Sequence, residues 1–221
     1  MSETWLLDRL LIWIPLVLSL SIHEWAHAAC ANALGDDTAA RQGRLTLNPL
    51  EHMDPVGSFL LPLLGIPFGW AKPVPIDFSR FRCGADTGIV LTAAAGPLSN
   101  LALALVATLA GALCVGLGTV TPKAGSAAWQ LVHTTVLLNL LLACFNLLPI
   151  PPLDGSRVVD GLIPGGWRET WDAFARLSPL LLAAVLVVPV LAGGSLLAWP
   201  MAWASALLDA AAGVAGSAGS G

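Results

Sequence analysis

The sequence predicts an all-α polytopic membrane protein of about five to six transmembrane helices, with a small membrane-associated β-sheet or re-entrant segment between the first two. Three observations carry that expectation. Of 221 residues, 56% are hydrophobic and only 11% charged, where a soluble domain carries about 25% charged residues; mean hydropathy is +0.78. Such a chain cannot clothe an ordinary water-facing surface. Four or five segments qualify by the roughly 20 apolar residues a bilayer crossing needs. The stretch between the first two is broken by prolines, which helix interiors exclude.

The elements follow in order. A first span runs from about Trp5 to Leu34, stopped by Gly35-Asp36-Asp37. It lacks a basic leader and continues into the polar motif described below, so no cleavable signal peptide is expected. Arg41 to Pro49 alternates around a glycine, the pattern of a short strand or hairpin. Val56–Ile66 is apolar but only half a span long, and Phe68 to Pro75 holds too many prolines for a helix. Leu45–Asp77 therefore reads as a small sheet plus a re-entrant or partial helix, sheltered by protein or a water-filled cavity. A second span covers Thr87–Leu117 and a third Trp129–Leu148, closed by Pro149-Ile150-Pro151-Pro152. A polar stretch, Asp154–Arg176, precedes a final pair of shorter segments, Pro179–Leu191 and Ser195–Leu208. Residues 1–160 read as a core and 161–221 as an amphipathic segment with the last helix pair. Arg41, Arg44, Lys72, Arg80 and Arg82 follow span one, and Arg157, Arg168 and Arg176 follow span three. The positive-inside rule makes those sides cytoplasmic and the N-terminus external. A net charge of -4 with ten basic residues argues against nucleic acid as a partner. The four cysteines form no C-x-x-C pair and read as small hydrophobes.

Inside span one lies His23-Glu24-Trp25-Ala26-His27. Helical residues four apart share a face, so both histidines can grip one metal ion with the glutamate beside it. Ionisable groups at membrane depth are costly to insert and default to a functional reading. The motif therefore points to a metallohydrolase working inside the lipid bilayer. The ligand types favour zinc, which takes three protein ligands in catalytic sites and leaves a position for water. Asp154 follows directly where span three breaks, at the same face as His27. On local sequence it reads equally as the third ligand or as the N-cap of the next helix. Glu24 would take the proton from zinc-activated water and return it to a leaving amine. Asn146 and Asn100 each read either as substrate or oxyanion contacts or as interhelical hydrogen bonds. His52 could contact the site or serve the local fold, and His133 reads as packing.

Five motifs in order resemble the site-2 protease family of intramembrane zinc metalloproteases, in its small bacterial form without a PDZ domain. They are His23 to His27, Leu47 to Pro55, Phe68 to Pro75, Ala95 to Asn100 and Asn146 to Gly155. The resemblance implies a three-helix catalytic core and one zinc ion held by His23, His27 and Asp154. It implies Glu24 as the base, and a substrate-positioning role for Asn146. It favours the ligand reading of Asp154, a transmembrane protein as substrate, and the bacterial cytoplasmic (inner) membrane with the site toward the cytoplasm. A homo-oligomer is left open. The alternatives are a membrane metal-binding or transport protein and an inactive homologue.

Overall fold

The computed structural model describes residues 4–64, 69–123, 126–191, 202–204, 206–211 and 213. Its frame is three long helices. The first, α1, spans Thr4–Leu34. It ends at Gly35, whose φ of +114° lets its N–H reach Asn32 O at 3.1 Å while Asp36 N reaches Ala31 O at 2.9 Å, closing the orphan carbonyls of the last turn. Two short turns follow, α2 (Thr38–Arg41) and α3 (Pro49–His52). Next comes a π-helical stretch, Pro55–Leu60, running into α4 (Leu61–Leu63). The long helix α5 covers Ala85–Gly116 and α6 covers Ala127–Asn146. After the proline-rich break come α7 (Asp154–Leu162), α8 (Arg168–Arg176) and α9 (Ser178–Leu191).

Helix α5 is central, packing against α1, α6 and α7. Its sequence shows why. Ala93, Gly96, Asn100, Ala104, Thr108 and Gly111 are buried, three or four apart and small or polar. Leu98, Leu105, Leu109 and Leu113, on the other face, are each about 60% exposed. Small residues inward and leucines outward is the arrangement of a helix solvated by lipid, where close backbone approach replaces the hydrophobic drive. At Gly111 a β-carbon would sit 2.6 Å from Val132 Cγ1, so the α5–α6 crossing is built on the missing side chain.

Three helices, Trp5–Leu34, Ala85–Gly116 and Ala127–Asn146, are long and apolar enough to cross a membrane; the pair 165–176 and 178–188, bent by 54°, would make a fourth. That is fewer than the expected five to six. Val56–Ile66 yields only a short coiled stretch within its described part, and residues 65–68 and 192–201 lie outside the described residues. The final expected segment, Ser195–Leu208, is therefore only partly described; Ala204 and Leu208 pack with Ala104 and Val136.

The expected sheet is also absent among the described residues. A single antiparallel bridge joins Met53 and Ala71. Pro73 and Pro75 cannot donate to a ladder, so side chains take over the backbone bonding of this strap. Ser58 Oγ donates to Trp70 O at 2.6 Å, Arg44 donates to Lys72 O at 2.6 Å, and Asp77 N donates to Asp36 Oδ2 at 2.8 Å. The predicted hairpin at Arg41 to Pro49 is likewise a turn: Gly43 takes φ +69° and Asn48 caps α3 by accepting from Leu50 N at 3.2 Å. Local capping outcompeted strand pairing here.

Candidate active site

His23 and His27 lie on one face of α1, their Nε2 atoms 3.0 Å apart. Asp154, at the first position of α7, brings Oδ2 to 3.1 Å from His23 Nε2 and 3.3 Å from His27 Nε2. It makes no side-chain cap for its own helix; the carboxylate turns to the histidines instead. Gly155 allows this approach. A β-carbon there would stand 2.2 Å from Leu147 O, so α7 starts hard against the end of α6. The reason is space, since Gly155 has no positive φ.

The histidines are oriented from behind. His27 Nδ1–H donates to the carbonyl of Thr92 at 2.7 Å, and His23 Nδ1–H donates to Asn100 Oδ1 at 2.6 Å. The turn around Thr92 precedes Pro97, whose ring removes one hydrogen bond from the α5 ladder. With Nδ1 protonated on both rings, neutral imidazoles present both Nε2 lone pairs to the same point. Two lone pairs and a carboxylate oxygen that makes no hydrogen bond repel one another unless a cation or proton lies among them. Ligands about 2.0–2.1 Å from a tetrahedral zinc ion are about 3.3 Å apart, close to the separations seen. The donor set thus fits zinc. Among the described residues it is the one group of His, Cys, Asp and Glu able to hold a metal ion.

Glu24, half-buried beside His23, accepts a hydrogen bond from Val74 N at 3.0 Å. The strap therefore touches the motif directly, a contact with no signal in the sequence beyond its prolines. Asn100 is wholly buried and lies behind His23, not on the face where the Nε2 atoms converge. Asn146 is half-buried and donates to Leu142 O at 2.9 Å within its own helix. His52, 1% exposed, bonds Thr46 O at 2.8 Å through Nε2 and offers its carbonyl to Lys72 N at 2.8 Å, so it belongs to the loop that anchors the strap. Asn139 was not singled out by the sequence, though a polar residue in an apolar span should have drawn the same attention. It is fully buried and accepts from Asn100 Nδ2 at 2.8 Å.

Similarity to known proteins gives the family. The chain is 41% identical over 189 residues to YwhC of Bacillus subtilis (strain 168), provisionally named a zinc metalloprotease, covering 85% of this chain and 84% of that one. It belongs to peptidase family M50, the site-2 protease family. The sequence model of peptidase family M50 matches residues 118–188, a stretch that holds Asp154 but not the histidine pair. Rip2 of Mycobacterium tuberculosis (strain H37Rv), also provisionally named a zinc metalloprotease, is 32% identical over 173 residues, spanning 78% of this chain and 63% of Rip2. Rip3 of the same strain is 37% identical over 191 residues, 82% of this chain but 39% of Rip3. No solved structure matches the chain.

Proposed function

We propose that this M50 member is an intramembrane zinc metalloprotease that cuts peptide bonds within or next to transmembrane segments of membrane proteins. The observation that carries the reading is the meeting of His23, His27 and Asp154 around one point, inside a helix apolar enough to cross a membrane. His23, His27 and Asp154 would hold the ion. Zinc, when bound, supplies Lewis acidity that polarises a scissile carbonyl and makes water acidic enough to lose a proton near neutral pH.

The remaining work belongs to the chain. Glu24 accepts the water proton and delivers it to the leaving amine. The Val74 N–H holds one of its oxygens, which restrains the carboxylate beside the histidine pair. A substrate helix must unwind locally, because its own hydrogen bonds shield the scissile carbonyl. The extended strap at 71–76 offers an edge for such an unwound segment by strand addition. Asn146, whose Nδ2 donates within its own helix, would meet substrate backbone through its Oδ1. The arginine-rich connections support a site toward the cytoplasmic side of a bacterial inner membrane.

The test is cleavage of a model transmembrane substrate by the detergent-solubilised protein, wild type against Glu24→Gln, with bound zinc quantified in both. Cleavage should fall by at least about 100-fold while zinc stays. Retention of cleavage by Glu24→Gln sinks the assignment of the base. Absence of cleavage from both, with zinc held by both, favours metal binding or transport instead.

A further inference from the structure

Behind the histidines lies a buried chain of amide contacts that the cleavage mechanism does not use. It begins at the main-chain carbonyl of Thr135 on α6, which can only accept. Asn139 Nδ2 donates to that carbonyl at 2.8 Å and to Ser19 Oγ at 2.7 Å. This fixes which way the Asn139 amide points, so its Oδ1 faces Asn100. Asn100 Nδ2 donates to Asn139 Oδ1 at 2.8 Å and to Ser19 O at 3.4 Å. That fixes the second amide in turn, so Asn100 Oδ1 faces His23 Nδ1 at 2.6 Å. An oxygen there demands a proton on Nδ1, which leaves Nε2 with its lone pair toward the site. Asn100, Asn139 and Ser19 are each fully buried, and no water is needed to complete the chain.

We infer that Asn139 is a positioning residue for the metal site: its carbonyl oxygen sets the amide orientation of Asn100, and thereby the tautomer in which His23 can ligate. Both Asn amides are symmetric in shape, so packing alone cannot choose their orientation. The hydrogen-bond polarity chooses, and its shorter contacts run from the α6 backbone through Asn139, with the Ser19 carbonyl at 3.4 Å as a longer second acceptor for Asn100. If the Asn139 acceptor is removed, Asn100 can turn over and present its NH2 to His23 Nδ1. The imidazole then carries its proton on Nε2 and no longer offers a lone pair to a cation. Outer partners of metal-ligating histidines act in this manner and are worth about 10- to 100-fold in metal affinity. The inference rests on the proposed role of His23 as a ligand.

The test measures zinc affinity of the full-length protein in detergent by competition with a chelating dye, so activity is not the readout. Asn139→Leu removes the acceptor at similar volume and should weaken zinc by about 10- to 100-fold. Asn139→Asp, held as the neutral acid by burial, keeps an oxygen toward Asn100 and an O–H toward the Thr135 carbonyl, and should stay within about threefold of wild type, well short of a lost outer partner. In an Asn100→Asp background, where either oxygen can accept from Nδ1–H, Asn139→Leu should have little further effect. A merely structural role would make Asn139→Leu equally damaging in both backgrounds, and that result overturns the inference, as does zinc loss of tenfold or more in Asn139→Asp. Asn139→Asp decides the matter by itself should the leucine variant not fold. If His23→Ala binds zinc as tightly as wild type, the ligand assignment itself has failed, which separates the two ideas.

Discussion

At Gly96 a β-carbon would stand 2.3 Å from His27 Nε2 and 2.6 Å from His23 Cε1. Both imidazoles lie directly on the α5 backbone, so even one methyl group must displace them. Gly96→Ala is expected to lower zinc occupancy and cleavage together, with an overpacking cost of about 1–3 kcal/mol read as a drop in melting temperature; full occupancy would show that the rings can move aside. A second residue, Asp36, anchors the strap from the end of α1. Its carboxylate accepts from Thr38 Oγ1, from Thr38 N at 3.0 Å and from Asp77 N at 2.8 Å. Burial raises its pKa, but these hydrogen bonds and Arg80 pull it below the ordinary 3.8. A carboxyl whose folded pKa is depressed stabilises the fold above its unfolded value and loses that contribution as pH falls through the folded one. The melting-temperature gap between wild type and Asp36→Asn should therefore be widest near neutrality and narrow below about pH 4; a gap independent of pH would refute this account. At this scale much was legible in the sequence. The spacing of His23 and His27 follows from helical geometry alone. What could not be read were contacts made by backbone atoms, such as the Thr92 carbonyl and the Val74 N–H, which carry no residue signature.

The strap between α4 and α5 shows what an element contributes. It runs extended without a sheet because its hydrogen bonds go to Arg44, Glu24 and Asp36, each from a different part of the chain. Its entry is wedged by Trp70 against Gly57, where a β-carbon would fall 2.4 Å from the indole. Val74→Pro keeps the extended backbone that a residue before Pro75 already adopts but deletes the N–H that holds Glu24. A hydrogen bond to a charged group is worth about 1.5–3 kcal/mol, so cleavage should fall about 10- to 100-fold with zinc unchanged. Equal cleavage rates for Val74→Pro and wild type would show that Glu24 needs no such support. The long helices were readable to within two residues at each end, since an apolar run of span length has few alternatives. No sheet forms among the described residues because strand-like alternation is a weak signal, and side-chain caps and clamps satisfied the same backbone groups.

At the scale of the molecule, the proposed topology rests on the charge distribution and the three long helices, and it can be checked. Cys83 is exposed and free, flanked by Arg80 and Arg82 in the connection leading to α5. A membrane-impermeant maleimide should label it in inside-out vesicles and not in intact spheroplasts. A cysteine placed at exposed Thr119, in the connection between α5 and α6, should show the opposite pattern. Labelling of both from one side would break the proposed orientation. The helical, membrane-spanning character was legible at this level, because hydropathy is a property of whole segments. Three to four of the expected five to six crossings lie among the described residues, and part of the last expected segment falls outside them.

The ligand set is divided between the first helix and the start of α7, 127 residues apart in the chain (Asp154 and His27). A ribosome makes the histidines early and the aspartate late. Throughout synthesis of the intervening residues, the nascent chain holds two of its three candidate metal ligands in the bilayer and lacks the carboxylate. On the proposed function, the newborn chain is thus unarmed while it shares the insertion machinery with other unfolded membrane segments, the kind of material it would cut. On that reading, competence waits for the third long helix and the turn behind it.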